Sequence, residues 1–427
     1  MRDLKTKKRI VIVGGGFAGI NGYLELHRQL HGAKDVEVFL VSEKDYFLFT
    51  PMIHEVATGG LLATNVTQAL RSLPRCCISR FIEGTAKKVD LINQEIFIKT
   101  GDSPAKAELE SISYDYLLLA LGSDTNFFKT PGAEEYSFRL RNLADALAIK
   151  ARVINSLNQA EATHDASEQK RLLSFAVVGG GPTGVELAAE LADLIKSASS
   201  NFPTSTPQAR ITLIHAGSRL VPQVESWFAT RAAAILAKIG VEVRLNTKVL
   251  EVRPDEVVLD SGVFQSQTTI WTAGVKARHL DMLSANEIKH EPVTERIAVN
   301  QYLQLPEYPQ VFLAGDQALI CDVVNQAPYP MRAQFAVREG VIAAKNISSL
   351  LQKESLRSFA WRDSGFILSL GYGRALARVF GIRWSGPLAW FVYRTAYLFK
   401  LFGWRAKFRT ALEWTLGLFM PRDISKL

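Results

Sequence analysis

The feature that most constrains this chain is a glycine-rich turn that occurs twice. Residues 10–22 read IVIVGGGFAGING, and residues 177–191 read VVGGGPTGVELAAEL. In each copy an apolar run, a G-x-G-x-x-G pattern and a helix-like stretch follow one another, which is the order of a dinucleotide-binding βα unit. One such pattern is weak evidence, but two copies 165 residues apart predict two Rossmann-like domains in one chain.

The two halves also continue alike. A second strand is predicted at 36–43 in the first half and at 211–217 in the second, and short alternating segments after each predict antiparallel strands. Apolar strands that end in small-residue turns follow at 116–123, 269–275 and 311–318. The pattern predicts an α/β fold in which each Rossmann-like domain carries an antiparallel β insertion.

The three glycines of each turn have separate physical roles. The first makes a tight turn, the second lets the backbone approach a pyrophosphate, and the third lets the helix pack closely on the strand. The pyrophosphate charge is received by the N–H groups at the helix N-terminus. We assign these roles to two sets of glycines: Gly14, Gly16 and Gly19, and Gly179, Gly181 and Gly184.

The residue after the second strand differs between the halves. Glu43 stands there in the first half, where a carboxylate would accept hydrogen bonds from the adenosine ribose. His215 takes the corresponding place in the second half, and Arg219 follows four residues later. A 2′-phosphate would be repelled by a carboxylate but not by a histidine. We therefore expect FAD in the first site and NADH or NADPH in the second, with the choice of donor left open because His215 could simply cap a strand.

The composition is that of a globular chain with a sizeable core, since 48% of the residues are hydrophobic and 22% are charged. The three cysteines, Cys76, Cys77 and Cys321, form neither a disulfide framework nor a metal-ligand spacing. A reducing compartment and no metal are therefore expected. The opening MRDLKTKKRIVIVGGG shows no apolar region of the signal-peptide type and no transit-like leader.

Residues 351–427 differ from the rest of the chain in charge and in aromatic content. They hold 13 Lys/Arg against 4 Asp/Glu, and five of the seven tryptophans. The most apolar stretch, 387–404, is interrupted by Arg394, Thr395 and Lys400, so no membrane-spanning helix is expected.

The next stretch, RAKFRTALEWTLGLF, predicts an amphipathic helix. We expect one charged face, formed by Arg405, Arg409 and Glu413. We expect the apolar residues Phe408, Leu412 and Phe419 on another face. This composition is typical of a helix lying in the headgroup layer of an anionic membrane. Packing on the protein body or in a homodimer is the alternative. No nucleic-acid partner is expected, because so many large apolar side chains do not suit a phosphate-binding surface.

These features together resemble the type II NADH dehydrogenase family, single-subunit NAD(P)H:quinone oxidoreductases among the two-dinucleotide-binding-domain flavoproteins. The resemblance covers essentially the whole chain. The matching stretches are VIVGGGFAG, DYFLFTPMIHEVATG, DYLLLALGS, VVGGGPTGVELAAEL, WTAGVKA, VFLAGDQA, AQFAVREGVIAAKNI and the tail WSGPLAWFVYR…PRDISKL. The domains that it implies are an FAD domain at 1–123 and 276–345, an NAD(P)H domain at 124–275 and a C-terminal membrane-surface segment at 346–427.

The resemblance implies roles for individual residues. Asp316, after Gly315, would hydrogen-bond the ribityl–pyrophosphate part of FAD, and Glu186 would stand near the nicotinamide and the flavin. Ala273 and Gly274 would lie under the nicotinamide ring. Thr50 and Pro51 would face the isoalloxazine ring of the flavin.

The quinone site that the resemblance implies involves Gln334 and the position one helical turn further on. Many members have a second glutamine there, whereas this chain has Arg338. Arg338 could pair with a quinone oxygen, or it could be an ordinary surface residue. This departure leaves open whether the quinone is a respiratory pool quinone or a biosynthetic demethylated naphthoquinone.

The family mechanism is ping-pong and pumps no protons: NAD(P)H gives a hydride to the flavin, and a membrane quinone then takes two electrons. We expect a peripheral enzyme on the cytoplasmic face of a bacterial or cyanobacterial plasma or thylakoid membrane. Sulfide:quinone oxidoreductase and disulfide reductases are weaker alternatives, because both need redox cysteines that this chain lacks at the flavin. A flavoprotein that mainly binds a partner is a further alternative that no residue favours.

Overall fold

The computed structural model describes residues 7–73, 79–101, 108–322, 326–361, 365–420 and 422–425, and the chain divides into two compact units. Cys76 and Cys77 lie outside the described residues. Each unit is built from three segments. The first unit consists of Met1–Phe47, Gln68–Asp124 and Val275–Arg362, and the second of Leu48–Thr67, Thr125–Gly274 and Asp363–Leu427.

The first unit is built on a six-stranded sheet with a second, four-stranded sheet. Its strands and helices are β1 (Lys8–Val13), α1 (Phe17–Gln29), β2 (Val36–Ser42), β3 (Tyr46–Leu48), β4 (Thr67–Ala69), β5 (Ser79–Glu83), β6 (Thr85–Asp90), β7 (Glu95–Thr100), β8 (Glu108–Ser113), β9 (Tyr116–Leu119), β10 (Ser123–Thr125), β19 (Val275–Ala277), β20 (Asp281–Leu283), β21 (Ile297–Ala298), β22 (Gln304–Leu305), β23 (Tyr308–Leu313), β24 (Ala318–Leu319) and α9 (Ala333–Gln352). β3, β4 and β10 lie at positions where the chain passes between the two units.

The main sheet of the first unit has the strand order β22-β23-β9-β1-β2-β5. β1 pairs in parallel with β2 and β9, so Val13 lies level with Val41 and Leu119. The inner strands read as continuous apolar runs because both faces of a parallel sheet are covered. Since parallel strands end at one edge, the residues after β1, β2, β9 and β23 gather there.

The four-stranded sheet, β20-β6-β7-β8, has antiparallel pairs between β6, β7 and β8. It packs on the main sheet through a shared apolar core that includes Val89, Ile96 and Leu117. This is the antiparallel insertion that the alternating segments of the first half predict, and the prediction is confirmed.

The second unit repeats the parallel sheet. Its helices and strands are α2 (Ile53–Val56), α3 (Ala63–Val66), α4 (Ala133–Tyr136), β11 (Ser137–Arg139), α5 (Leu143–Ala162), α6 (Ala166–Leu172), β12 (Ser174–Val178), α7 (Pro182–Ser197), β13 (Arg210–Ile214), α8 (Ser226–Lys238), β14 (Val241–Arg244), β15 (Val249–Val252), β16 (Glu256–Leu259), β17 (Gly262–Gln265), β18 (Thr268–Trp271), β25 (Phe366–Ser369), β26 (Ala375–Val379), β27 (Ile382–Ser385), α10 (Pro387–Lys400) and α11 (Trp404–Leu416).

The five strands of this sheet, in the order β11-β18-β12-β13-β14, are all parallel. Two antiparallel sheets accompany it, β15-β16-β17 and β25-β26-β27. The fold is therefore two Rossmann-like units with antiparallel additions, as the repeated pattern predicts.

The C-terminal helices are packed into the second unit. Ala389 and Tyr393 of α10 are buried against Ala375 and Ala377 of β26. No helix among the residues that the structure describes is long and apolar enough to cross a membrane.

The residues predicted for the two faces of α11 differ in exposure. Phe408 and Leu412 are exposed, together with Arg405 and Arg409. Glu413 is only partly exposed. Its carboxylate accepts hydrogen bonds from the Leu62 backbone N–H at 3.0 Å and from the Asn65 side chain, because the helix docks on α3. Burial raises the pKa of Glu413.

Candidate active site

The first glycine turn connects β1 to α1. Gly14 has φ +122°, and a side chain there would overlap the carbonyl oxygen of Ala120. A side chain at Gly19 would overlap the carbonyl oxygen of Gly14. Gly16, the helix N-cap, has no side chain that could cap the helix, and the space where a side chain would stand is open. The turn therefore leaves an unfilled cradle at a helix N-terminus, which suits a pyrophosphate.

Glu43 follows directly after β2 at the same sheet edge. Its carboxylate is paired with the Arg278 guanidinium at 3.0 Å. Arg278 is in turn held by its own backbone N–H, which donates to the Gly122 carbonyl. The ion pair fixes the direction of the Glu43 carboxylate while leaving acceptor positions for ribose hydroxyls.

Asp316 lies at the end of β23 and accepts a hydrogen bond from the Ser123 hydroxyl. The preceding Gly315 adopts φ +78°, and its N–H donates to the Glu339 carboxylate at 2.6 Å. Burial raises the pKa of Glu339 to about 8, although the Gly315 N–H opposes the shift. Arg296 is also buried beside this group, and with Asp316 and Glu339 it lines a narrow recess at the start of α9.

Gln334 and Arg338 both lie on α9, which begins at Ala333. Gln334 is half-buried in the first turn, and Arg338 is exposed one turn later. Gln334 and Arg338 therefore lie on the same helix, one turn apart.

The second glycine turn repeats the geometry of the first. Gly179 has φ +114°, and a side chain on it would overlap the backbone of Ala273. A side chain on Gly184 would overlap the carbonyl oxygen of Gly179. Gly181 faces open space and caps α7 without a side-chain hydrogen bond. This helix N-terminus is equally suited to a pyrophosphate.

His215 follows β13 and lies between two glycines. The Gly180 N–H donates to Nδ1 of His215 at 3.2 Å, and a side chain on Gly180 or Gly217 would press against the imidazole ring. Since Nδ1 accepts, the ring proton is on Nε2, which is buried without a partner among the described residues. Burial lowers the pKa of His215, so the ring is neutral at neutral pH. Arg219 is near in sequence, and its guanidinium donates to the Pro222 carbonyl.

Ala273 and Gly274 follow β18. The Trp271 indole N–H donates to the Ala273 carbonyl at 2.9 Å, and Gly274, with φ +70°, packs against Phe128. Thr50 and Pro51 form a short 3₁₀ turn in the second unit. Thr50 is exposed and Pro51 half-exposed, whereas the residues that follow them are buried.

Glu186 lies in the second turn of α7, because the helix begins at Pro182. Its carboxylate is buried, accepts from the Ser369 N–H at 3.2 Å and lies 3.7 Å from Nδ1 of His54. Burial raises the pKa of Glu186 to about 8 and lowers the pKa of His54 to about 3. At neutral pH the pair therefore consists of a protonated acid and a neutral imidazole.

Sequence reasoning missed most of the buried polar residues around these positions. Glu339 and Arg296 lie beside Asp316, and Arg278 pairs with Glu43. The charges of Glu55 and Glu190 act on Glu186. One signal was available, because Glu186, Glu190 and Asp193 recur at the spacing of one helix face.

Comparison with known proteins identifies the class that this fold and these turns define. The chain belongs to the pyridine nucleotide-disulphide oxidoreductase family, whose model matches residues 8–340. Within that class it is a member of the type II NADH dehydrogenase family.

Its relatives align over nearly the whole chain. The type II NADH:quinone oxidoreductase Ndh of Mycobacterium tuberculosis is 29% identical, covering 97% of this chain and 89% of the relative. The mitochondrial internal alternative NAD(P)H-ubiquinone oxidoreductase A1 of Arabidopsis thaliana is 28% identical, covering 99% and 86%.

Two solved structures share the fold. NDH2 from Plasmodium falciparum in complex with NADH superposes with a TM-score of 0.89 at 20% identity, covering 98% of this chain and 100% of that chain. The sulfide:quinone oxidoreductase from Aquifex aeolicus has a TM-score of 0.74 at 20% identity, covering 97% and 96%. These identities establish similarity of fold alone.

Proposed function

We propose that this protein is an FAD-dependent NAD(P)H:quinone oxidoreductase. The observation that carries the proposal is one glycine turn used twice, with Glu43 directly after β2 in the first unit and His215 directly after β13 in the second. Two sites of the same kind that differ in the residue expected to contact the ribose suit two nucleotides. One of them would stay bound and the other would be exchanged. The names of the relatives support this reaction.

The residues of the first unit fit FAD. Gly16 leaves room for the pyrophosphate, Glu43 would take the ribose hydroxyls, and Asp316 would take the ribityl chain. When bound, FAD supplies the two-electron redox chemistry between a nicotinamide and a quinone. The N-terminus of α9 would place partial positive charge beside the cofactor.

The second unit would hold the nicotinamide donor. Gly181 gives the pyrophosphate access, and Glu186, Ala273 and Gly274 would lie at the nicotinamide end. His215 offers an Nε2–H donor where a carboxylate would offer only acceptors. A donor at this position accommodates a 2′-phosphate, which supports use of NADPH beside NADH, with Arg219 as the nearby cation.

By the family resemblance, the quinone would be bound at Gln334 and Arg338 of α9. Gln334 can donate to a quinone carbonyl oxygen, and Arg338 can stabilise negative charge that develops there. These roles rest on the family resemblance and on the shared helix of Gln334 and Arg338.

The C-terminal helices would bring the enzyme to the lipid that contains its quinone. α11 leaves an apolar row exposed, of which Trp404 is 73% and Phe408 66% exposed, and basic side chains at Arg405 and Arg409 flank this row. Such a surface suits peripheral attachment to an anionic bilayer.

The test is steady-state oxidation of NADH and of NADPH by the purified flavoprotein, with and without a short-chain quinone. Turnover that depends on quinone is the expected result. A bound flavin that neither donor reduces would refute the second site, and a reduced flavin that quinone does not reoxidise would refute the quinone assignment. A ubiquinone and a demethylated naphthoquinone analogue, compared side by side, report the quinone class.

A further inference from the structure

An exposed aromatic side chain covers a glycine of the second unit. Phe128 is 53% exposed and belongs to the loop 126–132, which joins β10 to α4. Its ring lies against Gly274, where a side chain would overlap it. Single exposed apolar residues are common on protein surfaces and need no explanation by themselves. The backbone conformation of Phe128 and its place in the fold, however, set it apart.

The backbone of this loop is held in an unfavourable conformation. Phe128 has φ +51° and Lys129 has φ +57°, a left-handed region that a bulky aromatic residue rarely adopts. The side-chain oxygen of Asn126 accepts a hydrogen bond from the Phe128 N–H at 2.8 Å, and the Trp271 indole N–H donates to the Asn126 carbonyl at 3.0 Å. Backbone of this kind persists only where the surroundings fix it, and it is concentrated at ligand-binding sites.

The loop is also fixed on the other side of Phe128. The Val252 N–H donates to the Pro131 carbonyl at 2.9 Å. Phe127 packs against the apolar core of the second unit, with its ring centroid 5.9 Å from that of Trp271. The inward side chain of Phe127 and the two hydrogen-bonded ends of the loop therefore hold Phe128 outward in a defined position.

The position of Gly274 in the parallel sheet relates Phe128 to the nucleotide site. From β12 the chain proceeds to β13 and β14 on one side of the sheet and then returns to β18 on the other. The strand order thus reverses between β12 and β18, and open α/β sheets bind their ligands in the crevice at such a point. Gly274 follows shortly after β18, beside the glycine turn that follows β12. The ring of Phe128 therefore borders this crevice.

The same topology indicates which half of a dinucleotide comes close to Phe128. The pyrophosphate is expected at Gly181, and the adenosine ribose at His215, which follows β13. A dinucleotide placed in this way extends its other half across β12 toward β18, because β13 and β18 lie on opposite sides of β12. Gly274 and Phe128 lie on the side that would receive the nicotinamide.

We propose that the ring of Phe128 lines the nicotinamide-binding part of the second site and favours the oxidised form of the nucleotide. The proposal rests on the function proposed above. In that reaction NAD(P)H gives a hydride to the bound flavin, and its neutral dihydronicotinamide ring becomes a positively charged nicotinamide ring. The face of a phenylalanine ring attracts a cation, whereas a neutral ring only stacks on it. Phe128 would therefore hold NAD(P)⁺ more tightly than NAD(P)H.

The first test is isothermal titration of the FAD-loaded protein with NAD⁺ and with ADP-ribose, which lacks the nicotinamide ring. Phe128→Leu keeps an apolar side chain and removes the aromatic ring. It should weaken NAD⁺ binding by about threefold to tenfold and leave the affinity for ADP-ribose unchanged. Phe128→Tyr, which keeps a ring, should bind NAD⁺ nearly as the wild type does.

Lys129→Gly is the matched control, because it relieves the left-handed backbone next to Phe128 and keeps the aromatic ring. It should bind NAD⁺ like the wild type and have a higher Tm. Equal losses for NAD⁺ and ADP-ribose in Phe128→Leu would overturn the proposal in favour of a packing role for the loop. So would a Lys129→Gly variant that loses as much NAD⁺ affinity as Phe128→Leu. An unchanged NAD⁺ affinity in Phe128→Leu would overturn it outright.

The second test uses steady-state kinetics with NADH and a short-chain quinone. Phe128→Leu should raise the inhibition constant of NAD⁺ by a larger factor than the KM for NADH, because only the oxidised ring is charged. Equal factors would overturn the preference for the oxidised form. A wild type whose NAD⁺ affinity depends on Phe128 but which has no turnover with quinone would refute the proposed function alone. Quinone turnover together with an NAD⁺ affinity independent of Phe128 would refute the present proposal alone.

Discussion

The buried Glu186 makes a prediction about stability that can be worked through quantitatively. Its pKa lies at about 8 in the folded protein and near 4.5 when the chain is unfolded. Between these two values the folded state holds one more proton than the unfolded state. Stability therefore falls as pH rises from about 4.5 to 8, and it is level above that.

The magnitude follows from the same shift. Each pH unit in that interval costs about 1.4 kcal/mol, so the group destabilises the fold by roughly 3 kcal/mol at pH 7 relative to pH 4.5. Glu186→Gln removes the titration and keeps an oxygen that can accept from the Ser369 N–H. The variant should gain stability over the wild type steadily from pH 5 to pH 8.

The assay is urea unfolding of wild type and variant at five pH values, with saturating FAD in every sample. Asp165→Asn serves as the control of opposite sign, because hydrogen bonds from Ser167 lower the pKa of Asp165. Its contribution is lost as pH falls and should not change between pH 6 and pH 8. A Glu186→Gln difference that stays constant from pH 5 to pH 8 would show that Glu186 is ionised in the folded protein, and the reasoning would be wrong.

Three further predictions concern binding. Gly181→Ala should raise the KM for NADH by about tenfold with little change in Tm, whereas Gly184→Ala should lower Tm because its methyl group overlaps backbone; kinetics and thermal melts compare the two. His215→Glu should lower kcat/KM for NADPH at least about tenfold relative to NADH, through repulsion of the 2′-phosphate, and an equal loss for both donors would contradict this. Replacing Phe408 and Leu412 with serine should weaken co-sedimentation with anionic vesicles but leave turnover with a soluble quinone intact; unchanged sedimentation would remove α11 from the membrane contact.

The parallel sheets and the glycine turns could be predicted from sequence because their signals are local. An apolar run, the glycine spacing and the helix after it lie within about 20 residues of one another. The whole signal can therefore be recognised in one short stretch of sequence. The strand that follows the glycine-turn helix in each half was likewise predicted, since β2 and β13 are mostly apolar.

The polar interior could not be predicted in the same way, because its partners are distant in sequence. Nothing near Glu55 signals that Tyr393 and Trp414 will donate to it, and nothing near Glu190 signals Arg422. A charged residue taken alone is expected at the surface, and nothing near Glu413 signals that Leu62 and Asn65 will donate to it. The grouping of residues 48–67 with the second unit depends on such long-range contacts as well.

The hydrogen bonds of Glu55 also have a consequence for the order of folding. They join residues 338 and 359 positions apart, and Asp423 donates its backbone N–H to the Gly59 carbonyl. During synthesis α2 leaves the ribosome long before α10 and α11, and its buried acid has no donors until they arrive. The first unit also cannot complete its fold until late in synthesis, because α9 follows β1 by some 320 residues. Contacts of such separation slow folding, because long chain segments must close before these contacts form.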